Sequence, residues 1–255
     1  MKDLLETPTI LALDTSTNLC SVAVVSGDSV IEMQRDLPRA HNQHILAMID
    51  EALGGRGLES VDLIACGVGP GSFTGIRVAV GVAQGLGWSL EIPVFPVCSL
   101  ASQAQSVPLK AGSRVLSTMD AQIGQVYWAW FDVTATGLKT LKGPSVTSPE
   151  NVTGPNGERL QKLASDITIL GDGSDLVADA CMELSATKLA EERIFAQARP
   201  RPSQAALAFL DRVDKSFLIT ASQLEPRYVQ KEIVWKKLSE QGKSVLQNTE
   251  QGRGV

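Results

Sequence analysis

The sequence predicts an α/β protein built as two similarly planned halves. Two observations carry this reading. Short β-rich apolar runs alternate with amphipathic helical stretches, and each half places its strands first and its helices after. A third observation bounds the class. With 255 residues, 44% of them hydrophobic, the chain can bury sizeable cores, yet no apolar run reaches the roughly 18 residues that span a membrane.

The first half opens with TILALD (9–14), an apolar run ending in Asp14 and followed by the turn residues TSTN. CSVAVV (20–25) is β-rich, and SGDS connects it tightly to VIEMQRDL (30–37), which predicts a three-stranded meander. In HNQHILAMIDEALGG, residues Ile45, Met48, Ile49, Ala52 and Leu53 fall at offsets 0, 3, 4, 7 and 8 and make one apolar helical stripe. Gly54 and Gly55 end that helix. VDLIACGV (61–68) reads as a buried strand, a helix follows from about Thr74 to Leu90, and PVFPVCS (93–99) is a strand with a helix after it.

The second half begins near Val107. SRVLSTMDA (113–121) and QVYWAWFDV (125–133) read as strands joined by a short turn, with LKTLKGPSVTS (138–148) as another. DITILGDG (166–173) is a strand running into a turn, SDLVADACMEL (174–184) a helix, and SQAALAFLDRVDKS (203–216) a helix after the breaker run RPRP. The expected division is 1–106 for one lobe, with helix 203–216 packing back on it, 107–202 for the other, and a polar, disordered tail over 239–255.

The net charge of −5 gives no long-range attraction for nucleic acid. The start, MKDLLETPT, lacks the apolar stretch of a secretory signal. Cys20, Cys66, Cys98 and Cys181 lie far apart with no C-x-x-C pair, which predicts free thiols in a reducing cytoplasm.

The stretch GVGPGSFTGIR (67–77) raises the question of phosphate binding. It has no lysine for a Walker A loop, and Gly67, Gly69 and Gly71 give G-x-G-x-G in place of the dinucleotide spacing. In the helix that follows, Gly75, Ala79, Ala83 and Gly87 recur every four residues, with Gly81 and Gly85 in a second small row. Each glycine costs a helix about 1 kcal/mol relative to alanine, so such rows imply close packing. That packing is either inside the domain or against a second protein, and the pattern favours neither.

ILALDTST, HNQHIL, GVGPGSFTGIRVAVGVAQGL, MDAQIGQVYWAWF and EPRYVQKEIVWKK together resemble the bacterial TsaB (YeaZ) family, from residue 9 to about 237. The resemblance implies two ribonuclease-H-like lobes of the actin-like/Hsp70-like ATPase fold. It implies a non-catalytic partner of TsaD, acting with TsaE in threonylcarbamoylation of adenosine 37 in tRNAs that read codons starting with A. ATP and metal would then belong to TsaD, with none required by this chain alone. It also implies a homodimer when TsaD is absent, formed on the same helical face. The alternative is an autonomous ATPase or a glycoprotease-like metallopeptidase.

By that resemblance Asp14, Thr15 and Ser16 match the first nucleotide turn, Asp120 to Gly124 the second, and Gly171 and Gly173 the adenosine turn. Asp172 would bring a carboxylate to a turn meant to approach a nucleotide, so the site reads as degraded. Residual nucleotide contact and simple turn closure by Asx hydrogen bonds both remain open for Asp14 and Asp120. The two histidines, His41 and His44, stand as His-x-x-His without a convincing third ligand from Asp36 or Asp50. Ser72 is outside any G-x-S-x-G, so no nucleophile constellation emerges. The expected partner face comprises His44, Ile45, Met48, Gly75, Arg77, Ala79, Ala83 and Gly87. Lys231, Lys236 and Lys237 form a basic cluster suited to tRNA or TsaE.

Overall fold

A computed structural model describes residues 7–162, 167–184, 193–212 and 215–229. The first sheet contains β1 (Thr9–Asp14), β2 (Leu19–Ser26), β3 (Ser29–Asp36), β4 (Leu63–Gly67) and β5 (Val94–Val97), in the order β3-β2-β1-β4-β5. The second contains β6 (Arg114–Gln122), β7 (Gln125–Thr134), β8 (Gly137–Thr147), β9 (Ile167–Leu170) and β10 (Ile194–Phe195), in the order β10-β9-β6-β7-β8. The two orders are the same topology. Each lobe has an antiparallel three-strand meander, then two strands added parallel to the meander's first strand. This duplication is the two-lobed ribonuclease-H-like arrangement that the resemblance implies.

Burial explains the apolar runs. β1 lies in the middle of its sheet, and Ile10, Leu11, Ala12 and Leu13 are all fully buried because both faces are covered. Leu11, Leu13, Val22, Val24, Ile64 and Cys66 face α1 (His41–Leu53) and α2 (Phe73–Ser89). The alternate residues Ile10, Ala12, Ala23, Val25, Leu63 and Ala65 face α5 (Pro202–Arg212). In the second lobe Leu116, Trp128, Trp130, Ile167 and Ile169 face α4 (Ser174–Leu184), and Val115, Met119, Ala129 and Phe131 face α3 (Ser99–Gln105).

The two inner helices are exchanged. α3 precedes the second sheet in sequence but buries Leu100 and Ala104 against it, while α5 follows that sheet and buries Ala205, Ala206 and Phe209 against the first. Divided by packing, the lobe boundary therefore falls before α3 and not after residue 106. Glu32 on β3 receives α5: its Oε1 accepts from Ser203 Oγ at 2.8 Å, and its Oε2 pairs with the Arg201 guanidinium. β10 is absent from the sequence reading, since two residues carry no periodicity. The expected tail over 239–255 lies outside the described residues.

Candidate functional site

The turn after β1 is closed upon itself. Asp14 Oδ1 accepts from Ser16 N at 2.8 Å and Ser16 Oγ at 2.6 Å, and Oδ2 accepts from Ser99 Oγ at 2.8 Å. Asp14, Thr15 and Ser16 are 3%, 0% and 2% exposed. Burial pushes the Asp14 carboxyl above its usual range, opposed by the Ser16 and Ser99 hydrogen bonds and by nearby His41.

The glycine loop is what shuts this turn. Ser72 N donates to Ser16 O at 2.7 Å, and Thr15 Oγ1 donates to Gly75 O at 2.7 Å. A Cβ on Gly67 would strike the Asp14 carboxylate, one on Gly71 the Ser16 backbone, and one on Gly75 the Thr15 carbonyl. Three glycines of the loop and helix entry thus allow backbone to lie directly on the turn. The Asp14 carboxylate, Ser16 N and the Thr15 hydroxyl of this turn are bonded within the chain.

The second and third turns meet each other. Asp120 Oδ1 accepts from Gln122 N at 2.7 Å, and Asp120 N donates to Asp172 Oδ1 at 2.9 Å. Asp172 Oδ2 lies 3.9 Å from the Arg199 guanidinium, which supplies a cation for the carboxylate in that turn. Gly171 and Gly173 are buried against the end of β6, where side chains would strike Thr118 and Met119. Gly124 is exposed, and Gln122, Ile123 and Gly124 all have positive φ, leaving Ile123 entirely in solvent at the hairpin tip. α3 joins the first turn to the others: Ser99 reaches Asp14, and Gln103 Nε2 donates to Ser117 Oγ and Thr118 O, both at 2.9 Å.

His41 is buried with Nε2 3.1 Å from Asn18 O, and His44 is half-buried beside it on α1. Among the described residues no three His, Cys, Asp or Glu side chains gather as a metal site. None of the four cysteines is in a disulfide, and burial pushes the Cys20 thiol up to about 11.

The partner-face expectation requires correction. Ile45, Met48, Ala79 and Ala83 are 1%, 0%, 0% and 0% exposed and belong to the first lobe's own core. Gly75 and Gly87 are also buried; a Cβ on Gly87 would press on Ala221 and Val94. These residues make α2 fit its own sheet and loops. Arg77 alone of the α2 set is exposed.

The outward face is the second small row. Phe73, Arg77, Gly81 and Gly85 follow one another at four-residue spacing, all exposed; Trp88 on the same helix is 74% exposed, and Leu46 on α1 61%. Among the described residues, and apart from the helix's own adjacent backbone, no atom lies within 4 Å of where a Cβ on Gly81 or Gly85 would stand. Sequence reasoning found this row but assigned the interface to the other. A segment from Ala221 to Tyr228 runs along α2: Gln84 Nε2 donates to Leu224 O at 2.8 Å, Arg227 N to Val68 O at 2.8 Å, and Tyr228 lies against Phe73.

Residues 34–236 match the family model described as "TsaD: tRNA N6-adenosine threonylcarbamoyltransferase". A protein of Escherichia coli (strain K12) named "tRNA threonylcarbamoyladenosine biosynthesis protein TsaB" is 34% identical over 233 residues, covering 90% of this chain and 97% of that protein. A protein of the same name from Bacillus subtilis (strain 168) is 32% identical and spans 80% of this chain and 87% of its own length. The solved structure titled "YeaZ from Pseudomonas aeruginosa" superposes with a TM-score of 0.74 at 32% identity, over 87% of this chain and 99% of that one. With two lobes of matching topology, the quoted motifs in place and these relatives covering nearly their whole length, the chain belongs to the TsaB (YeaZ) family.

Proposed function

We propose that this chain is a non-catalytic assembly and activating subunit in the biosynthesis of threonylcarbamoyladenosine on tRNA, working with a TsaD-like and a TsaE-like protein in the cytoplasm. The names of its relatives support the pathway. The observation that carries the partner role is the outward face of α2. Gly75 and Gly87 are accounted for by contacts inside the chain, whereas Gly81 and Gly85 face open space among the described residues yet weaken the helix by about 1 kcal/mol each. A closely approaching helix of a second protein gives them a reason, and exposed Phe73 and Trp88 on the same helix supply apolar area.

The turns around Asp14 and Asp172 support a scaffold use of the ATPase frame, because their carboxylates are committed to Ser16, Ser99, Asp120 N and Arg199. On this reading ATP and metal act in the TsaD-like protein, and this chain requires neither. The same face serves a homodimer when the partner is absent. Lys231, Lys236 and Lys237, offered for tRNA or the TsaE-like protein, lie outside the described residues. No described helix is long and apolar enough to cross a membrane.

Reconstitution tests the proposal. TsaD, TsaE, tRNA and threonylcarbamoyl-adenylate are mixed with and without this chain, and modified adenosine is quantified. Product that depends on the chain, with no ATP hydrolysis by the chain alone, is the expected result. Equal product without it, or ATP turnover by the isolated chain, would overturn the partner role.

A further inference from the structure

The geometry points to Arg77 as a preformed socket for a carboxylate presented by the protein that docks on the α1–α2 face. This rests on the partner reading above and adds the chemistry of its anchor. The Arg77 guanidinium carbon stands 3.8 Å from the centre of the Phe73 ring and 5.7 Å from that of Tyr228, and Nε donates to the Tyr228 hydroxyl at 2.7 Å. Phe73 and Tyr228 are themselves in contact, with ring centres 5.3 Å apart. One ring covers a face of the guanidinium, and the hydroxyl takes the Nε edge. Among the described residues no hydrogen-bond acceptor takes the outer edge with its two terminal nitrogens, whose geometry suits a planar, bidentate acceptor.

Tyr228 is itself held. Its segment is fixed by the bonds from Arg227 N to Val68 O and from Gln84 Nε2 to Leu224 O. The cation is therefore oriented before a partner arrives, and less side-chain freedom is lost on binding. No carboxylate among the described residues forms a salt bridge with Arg77.

The surroundings favour a protein carboxylate over a nucleic-acid phosphate. Arg77 is the only lysine or arginine on α1 or α2, while α1 carries Asp50 and Glu51. Phosphate backbones are gripped by several cations together. An oriented arginine stacked on exposed Phe73, on a helix that also exposes Trp88 about three turns further on, has instead the make-up of a protein–protein anchor.

The test uses the full chain and its cognate TsaD-like protein, with affinity measured by calorimetry. Arg77→Glu is expected to weaken binding by about 30-fold or more, and Arg77→Lys by roughly 10-fold, since lysine keeps charge but loses the fork. Tyr228→Phe, which removes only the orienting hydroxyl, is expected to cost about 3-fold. One Asp→Lys or Glu→Lys reversal on the partner should restore the affinity of Arg77→Glu. If Arg77→Glu binds like the wild type while Gly81→Leu does not bind, the socket is wrong and the partner face stands. If the wild type fails to bind, face and socket fall together. A loss that no partner reversal rescues also overturns the socket, and a salt-dependent fall in tRNA affinity alongside it would assign Arg77 to a phosphate.

Discussion

Asp14 places a buried carboxylate at the end of β1, and its titration has a definite sign. Burial is the dominant influence and raises its pKa, outweighing the hydrogen bonds from Ser16 and Ser99 and the His41 field. An acid whose folded pKa lies above the unfolded value of 3.8 makes the folded state the tighter proton binder. Its stabilising contribution is complete below that unfolded value and is lost as pH rises through the folded one, so at neutral pH the charge is a cost. Asp14→Asn keeps an acceptor for both Ser16 donors, and the Ser99 hydroxyl can turn to accept from the new amide. The variant is expected to be more stable than wild type at pH 7, with the advantage shrinking as pH falls; urea midpoints across pH check this. A variant less stable at pH 7 would show that the hydrogen bonds to the charged form outweigh its burial. The sequence made Asp14 visible as an acid ending a strand. It left the role open, because Ser99, its decisive neighbour, stands 85 positions away.

At the scale of the element, α2 shows what a helical period can and cannot say. The spacing of Gly75, Ala79, Ala83 and Gly87 identifies a tightly packed stripe, but a period carries no sign for inside or outside. The sign comes from the Thr15 carbonyl, Ala221 and Val94, brought against the helix by strands and loops distant in sequence. The two rows should respond oppositely to added side-chain volume. Ala79→Leu and Ala83→Leu overpack a closed core and are expected to cost about 1–3 kcal/mol each. Gly81→Ala and Gly85→Ala fall on an open, exposed helix surface and are expected to stabilise the isolated chain by about 0.5–1 kcal/mol each. Chemical denaturation of the isolated chain checks both signs. Neutral stability for Ala79→Leu combined with lost partner binding would restore the inner stripe as the interface. In the same way, the strands-first plan of each half was legible from alternating apolar runs, while the strand order was not. Nothing local in VDLIACGV states that it pairs with β1 on the side away from β2.

For the whole molecule, the exchange of α3 and α5 makes each lobe's core depend on a helix from the other half of the chain. Removing α5 would uncover Ile10, Ala12, Ala23 and Val25, and removing α3 would uncover Val115, Met119, Ala129 and Phe131. Buried polar bonds along α3 tie the lobes as well, from Asp14 through Ser99 to Gln103 and the β6 backbone. Two lobes so interlocked are expected to unfold together, in contrast to domains joined by a simple linker. Glu32 gives a handle on this coupling. It is 7% exposed and holds Arg201 and Ser203 at the start of α5, while Arg201 is 46% exposed and so partly screened. Glu32→Ala is expected to cost about 1–2 kcal/mol, a discounted value for a hydrogen-bonded ion pair with one partner in solvent. The informative quantity is where that loss is felt. With Trp88 and Trp235 replaced by phenylalanine, fluorescence reports on Trp128 and Trp130 in the second lobe, and hydrogen exchange in β1 and β4 reports on the first. Interlocked lobes require one transition by both probes, shifted equally by Glu32→Ala although Glu32 belongs to the first sheet. Separate transitions, or a shift confined to the first lobe, would mean that the exchanged helices detach before either sheet gives way.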